Sequence, residues 1–214
     1  GEVMVDIVME TYNHENYLRQ ALDSIFAQQT QFSYKVIVGE DCSKDHTKDI
    51  LLEYFDKYPG KMELILWKKN VGTLENDYEI MGRCRAKYVA TLEGDDYWTD
   101  KLKLEKQVSF LEEHSEYIAV CHNVRCVNEV GKLLHRDFRF FPITEEHIYG
   151  RKHAGMAQLA GQSAALILRN IFKQWSEKEW DCYKAAKVNG DMKIQAVLGM
   201  AGNIYCSREI MSDY

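Results

Sequence analysis

The sequence predicts an α/β fold, a mostly parallel central sheet with helices on both faces. Three observations carry that expectation. Short apolar, β-rich runs recur through residues 3–121, helical periods separate them, and polar residues gather just after each run. In sheets of this kind ligands sit outside the carboxyl ends of the strands, so the residues closing each run are the ones to inspect.

Taken in order, residues 3–9 form a β-rich run with one polar interruption, and 34–38, 62–67, 88–92 and 117–121 are similar. Between the first two, Leu18, Ala21, Leu22, Ile25 and Phe26 recur at helical spacing and share one face. Ile50, Leu51, Tyr54, Phe55 and Tyr58 repeat the pattern, with Asp45 as candidate N-cap and Pro59-Gly60 as the stop. A later helix is expected from Thr99 or Asp100 to about His114. Beyond Cys121 the alternation fades. A hairpin is expected around 128–132, where Gly131 supplies a turn, and 136–188 carries only weak helical signals. Helical spacing returns over 191–198, stops at Gly199 and Gly202, and is followed by the apolar Ile204-Tyr205-Cys206.

At 214 residues, with 46% hydrophobic and 28% charged residues, the chain reads as one domain, large enough to bury roughly 70% of its unfolded surface. A formal net charge of -6 argues against a nucleic-acid polymer as partner, because phosphate neutralisation needs a basic face. Six cysteines without a C-x-x-C pair suggest reduced thiols in a cytoplasmic protein. The longest apolar stretch, 154–168, is broken by Gln158, Gly161, Gln162 and Ser163 and is no membrane span. Neither G-x-G-x-x-G nor a Walker A string occurs.

The strand ends hold the chemistry. Glu93, Asp95 and Asp96 put three carboxylates within four residues, where their repulsion needs a cation or donors to offset it. A hard divalent ion, Mn²⁺ or Mg²⁺, uses one or two carboxylates and fills its shell with substrate phosphate oxygens. The same segment also reads as a turn with capping aspartates ahead of the next helix. Asp41, beside Glu40, suits a hydrogen bond from a base N–H or an Asx turn. Thr11 and Asn13 are equally open, Asn13 doubling as an N-cap, and Asn70 with Gly72 is most simply a turn.

Together these strings carry a resemblance. Thr11-Tyr12-Asn13 with Tyr17-Leu18, Glu40-Asp41-Cys42-Ser43-Lys44-Asp45 with Thr47, Asn70-Val71-Gly72, and residues 87–98 followed by Lys101-Leu102 and Glu105-Lys106-Gln107 resemble family 2 glycosyltransferases of the GT-A fold. The order and spacing match over residues 3 to about 124. The resemblance implies a nucleotide-binding half there and an acceptor-binding half over about 125–214. It implies a UDP-sugar donor held by Thr11, Asn13, Asp41 and Asp95, a metal ion on Asp96, and inverting transfer to a carbohydrate or lipid-linked acceptor. Asn189-Gly190-Asp191 before a helix, with Gly202-Asn203-Ile204-Tyr205 after it, is similar to the family segment bearing the catalytic base, which implies Asp191 in that role.

Some residues depart from the family pattern: Glu40 where Asp is commoner, Cys42 where Gly is, and Gly190 where Glu is. Cys42 argues against a positive-φ turn. Relatives continue past the position of Tyr214 with an arginine and further helices, so an acceptor-side segment is expected beyond it. By analogy the work is surface polysaccharide or glycoconjugate synthesis, with a longer protein able to associate peripherally with the inner face of the cell membrane. Two rival functions remain, a silent nucleotide-sugar binder and a glycoside hydrolase with paired carboxylates. His153, Gln162, Trp175 and Trp180 are candidates for touching a sugar, with aromatic packing the favoured role for each tryptophan. His122 reads as structural.

Overall fold

The computed structural model describes residues 2–128, 131–134, 143–188 and 190–214. Its strands run in the order β3-β2-β1-β4-β8-β6-β9-β5 in one sheet, with β7 on β9. β1 (Val3–Thr11), β2 (Ser33–Glu40), β3 (Met62–Leu66) and β4 (Tyr88–Thr91) are mutually parallel and joined by helices. α1 (Leu18–Phe26), α2 (Thr47–Lys57) and α3 (Thr73–Arg83) make those crossovers. Parallel pairing lines up the carboxyl ends: Thr11 pairs with Glu40, Glu40 with Leu66, and Val8 with Thr91.

The sheet then changes direction. β8 (Leu166–Arg169) runs antiparallel between β4 and β6 (Tyr117–Arg125), and β9 (Asn203–Asp213) lies parallel to β6. Short β5 (Tyr97–Trp98) and β7 (His147–Tyr149) pair antiparallel with β9. β8 corrects the expectation of only weak helix through 136–188. Its Leu-Ile-Leu core is a continuous apolar run, which periodicity cannot assign, and burial on both sheet faces makes it a strand.

Side-chain alternation along β1 builds two cores. Val5, Ile7 and Met9 face a cluster with α1, α2 and α4 (Lys103–Glu113), while Val8 faces one with α3, α6 (Glu177–Ala185) and α7 (Gly190–Ala201). Helices therefore cover both faces, as the pattern requires. α5 (Arg151–Gly155) packs on α7. Trp175 and Trp180 join Phe172 and Tyr183 in an aromatic group, in line with the favoured packing role. His122 is buried, and its Nδ1 lies 2.7 Å from the carbonyl of Asn123.

Local details refine the expected caps. α2 starts at Thr47, one residue after His46, and Asp45 serves it from outside by accepting a hydrogen bond from Thr47 N at 3.0 Å. Asp100 likewise accepts from Leu102 N, ahead of α4. Asn13 does not cap α1, which follows Tyr17; it sits at φ 56° and accepts from Lys44 N instead. Cys42 has φ 59°, against the sequence expectation, and is held there because Glu40 Oε1 accepts Ser43 N at 2.6 Å. The hairpin closes with Asn128 N donating to Lys132 O and Gly131 at φ 74°; residues 129 and 130 lie outside the described set. Among the described residues, no helix is long and apolar enough to cross a membrane, and all six cysteines are unpaired thiols.

Candidate active site

At the carboxyl edge of the parallel strands, three loops are stitched together by side chains. Asn13 N donates to Ser43 Oγ at 3.0 Å and His14 N to Thr47 Oγ1 at 2.8 Å, joining the loop after β1 to the loop after β2. Asp41, 4% exposed, then joins the loop after β3: Oδ1 accepts Val71 N at 2.6 Å and Oδ2 accepts Gly72 N at 2.9 Å. Asn70 Nδ2 adds a bond to the Asp41 carbonyl at 3.2 Å. Gly72 sits at φ 82°, where its lack of a Cβ makes the turn into α3 affordable. Each Asp41 oxygen keeps a second lone pair for a ligand.

The acidic turn follows β4 and is pinned to β1 by Gly94 N donating to Glu10 O at 3.1 Å. Gly94 is required there: a Cβ would lie 2.6 Å from His14 Nδ1 and 2.8 Å from Thr11 Oγ1. Both of those atoms are buried without a hydrogen-bond partner among the described residues. Asp95 projects outward with a 44% exposed side chain, its Oδ2 3.8 Å from His14 Nε2. Asp96 is 3% exposed and turned inward, Oδ2 accepting Gln162 Nε2 at 2.7 Å while Oδ1 accepts no hydrogen bond from a described residue.

Asp191 stands in the first turn of α7 and reaches the same region from the far side. It lines a small cleft with Glu10, Asp77, Glu93, Ser163 and Ile194. Asn189, its expected companion, lies outside the described residues. Burial, then the charges of Asp77, Glu93 and Asp191, push the Glu10 carboxyl up to about 9. Burial first and Asp191 second bring Glu93 up to about 7, although Ser163 Oγ donates to it at 3.0 Å. Burial and the charges of Glu93 and Asp95 raise Asp96 to about 8. Asp191 is raised by burial alone, and Asp77, which accepts Tyr183 OH at 2.7 Å, is raised to about 6 by burial.

An edge where burial and neighbouring acids oppose the ionised form of Glu10, Glu93 and Asp96 is one that a cation would relieve. Among the described residues no three His, Cys, Asp or Glu side chains form a ready cage for an ion. The Oδ1 of Asp96, which accepts no hydrogen bond from a described residue, fits instead a hard ion that takes its remaining ligands from phosphate and water.

The structure thus brings Thr11, Asn13, Asp41, Asp95, Asp96 and Asp191 to one edge. Sequence reasoning missed Glu10 and Asp77. Gln162, one of the candidates for touching a sugar, has its side chain engaged by Asp96 and the Ala164 backbone. Glu10 was legible as a charged residue closing an apolar strand. Asp77 had no such signal, being one polar position in an amphipathic helix.

Comparison with known proteins agrees with the fold. Residues 6–175 match the family described as Glycosyl transferase family 2. An uncharacterised protein of Mycobacterium tuberculosis is 41% identical over 140 residues, 65% of this chain and 40% of that protein. The Bacillus subtilis protein TuaG, named for a glycosyltransferase of teichuronic acid biosynthesis, is 32% identical over 112 residues, covering 52% and 43%. The chain thus spans less than half the length of these curated relatives. Staphylococcus aureus TarS 1-349, solved with UDP-GlcNAc, superposes with a TM-score of 0.73 at 20% identity, covering 99% of this chain and 58% of that one. The mannosyltransferase PcManGT of Pyrobaculum calidifontis, solved with GDP-Man and Mn2+, gives 0.64 at 14%, covering 100% and 57%. The strand order, the acidic turn after β4 and these matches identify the chain as a member of glycosyl transferase family 2 with the GT-A fold.

Proposed function

We propose that the chain transfers a sugar from a UDP-sugar to a hydroxyl of a carbohydrate or lipid-linked acceptor, with inversion and with a divalent ion. The observation that carries this is the meeting of Asp191 with Glu93 of the acidic turn in one cleft, although the two stand on different parts of the chain. Residues 3–124 form the nucleotide half and 125–214 the acceptor half. Asp41 and Thr11 hold the uridine, with Asn13 keeping their loops together, and Asp95 holds the ribose or the sugar. Asp96 would hold Mn²⁺ or Mg²⁺, and the bound ion would supply Lewis-acid stabilisation of charge on the departing UDP. Asp191 takes the proton of the acceptor hydroxyl as its oxygen bonds to the anomeric carbon and the bond to the UDP phosphate oxygen breaks. The UDP-GlcNAc complex of TarS supports a nucleotide-sugar donor, and the name of TuaG, a glycosyltransferase of teichuronic acid biosynthesis, supports a role in polymer synthesis.

A thermal-shift panel of UDP, GDP, CDP and dTDP with and without Mn²⁺ tests the donor assignment. Ligand at 100 times its Kd stabilises by about 2.7 kcal/mol, and at roughly 2–4 °C per kcal/mol the expected shift is about 5–11 °C. UDP with the ion should give the largest shift. Preference for GDP, the nucleotide of the PcManGT complex, or an ion-independent response, refutes it.

A further inference from the structure

Asp96 is held by a residue far away in sequence, and the way it is held is unusually specific. Gln162 Nε2 donates to Asp96 Oδ2 at 2.7 Å, and Gln162 Oε1 accepts Ala164 N at 2.6 Å. A backbone N–H can only donate, so the amide oxygen must face Ala164 and the amide nitrogen must face Asp96. The donor is neutral. It orients the carboxylate without cancelling the charge that an ion needs, which a lysine at this place would do.

The amide is itself braced. Gln195, 1% exposed, lies one helical turn after Asp191 on α7. Its Oε1 accepts Ala160 N at 2.6 Å, and its Nε2 donates to Gly161 O at 2.9 Å, fixing the backbone that leads into Gln162. Close packing also holds this backbone, since a Cβ on Gly161 would collide with Cys121 Sγ. On the far side, Trp98 Nε1 donates to Ala164 O at 2.9 Å, and Ser163 Oγ donates to Glu93. Gln162, Ser163 and Ala164 therefore grip the acidic turn at Glu93, Asp96 and Trp98, while Gln195 ties the grip to the helix carrying Asp191.

We propose that Gln162 is a positioning residue for the ion: its amide fixes Asp96 with Oδ2 turned inward and Oδ1 left to ligate, and Gln195 sets this grip in register with Asp191. The proposal rests on the metal-dependent reading above. Partners that orient a ligating carboxylate typically change ion affinity by 10–100-fold when removed. A side chain that merely fills space would change stability and leave ion affinity alone.

The test is an electron paramagnetic resonance titration of Mn²⁺, which loses its free-ion signal on binding, in the presence of saturating UDP. The parent, Asp96→Asn, Gln162→Met and Gln195→Met are compared, with UDP affinity also measured without the ion. Gln162→Met should weaken Mn²⁺ by about 10–100-fold and Gln195→Met by a smaller factor, with ion-free UDP affinity within about threefold of the parent. If Gln162→Met does not fold, Gln162→Asn keeps a polar amide in the turn but withdraws it by one methylene, and the same loss is expected. Parent-like Mn²⁺ binding by the Gln162 variant, with binding lost in Asp96→Asn, overturns the proposal and leaves the metal-dependent reading standing. Parallel loss of ion and ion-free UDP binding also overturns it, because that marks collapse of the whole edge. A parent that takes up no Mn²⁺ with UDP refutes the metal-dependent reading and this proposal with it.

Discussion

Replacing Asp41 by Asn tests whether the loop clamp described above is made. The carboxylate accepts Val71 N on one oxygen and Gly72 N on the other, in a pocket where it is 4% exposed. Asparagine offers one acceptor oxygen and one NH₂ group, so one of the two backbone donors must face another donor. Losing a charge-assisted bond and leaving a half-buried N–H unpaired costs about 2–3 kcal/mol together. At roughly 2–4 °C per kcal/mol for a chain of this size, Tm should fall by about 4–12 °C with no ligand present. If Asp41 served only a base contact, the loss would be confined to UDP affinity. Because the clamp shapes the loop entering α3, UDP should bind more weakly as well, with the ion still required. The measurement is a ligand-free melt followed by calorimetric titration of UDP. A variant melting within 1 °C of the parent would mean that Asp41 does not clamp Val71 and Gly72.

Two further substitutions probe the cleft. Asp191→Asn keeps the size and capping ability of the side chain but removes the proton acceptor, so transfer should fall by about 10²-fold or more while UDP-sugar and Mn²⁺ affinities stay within a few-fold; near-normal turnover would eliminate it as the base. Glu10, with its folded value raised to about 9 from an ordinary 4.5, keeps a proton that the unfolded chain gives up. Stability should therefore be greatest below about pH 4.5 for this group and decline as pH rises toward 9, by at most about 1.4 kcal/mol per pH unit. Glu10→Gln removes that slope, so the variant should gain on the parent between pH 5 and pH 8 in ion-free melts, and superimposable Tm profiles would refute the buried proton.

Legibility varied with the physics behind each feature. The parallel half was readable because each strand is a short apolar run and each helix has a 3.6-residue period, both local signals. The acidic turn stood out because three carboxylates within four residues are costly without a partner, whereas Asp41 and Asp191 gained their roles only through the family resemblance. β8 was not readable, since buried strands show no alternation and its neighbours β4 and β6 are distant in sequence. Cys42 defied its expected backbone conformation because the Glu40 side chain holds the turn, an interaction propensity does not include.

Composition, period and motif order by themselves determined the fold class, the family resemblance and the strand ends that matter, because these follow from which residues are apolar and how they are spaced. Only the tertiary structure decided which acids share a cleft, that Asp41 spends both oxygens on the loop after β3, and that Gln162 and Gln195 connect Asp96 to the helix of Asp191. Those contacts join residues brought together by sheet order and helix packing, and hydrogen bonds of that range leave no periodic trace in the chain.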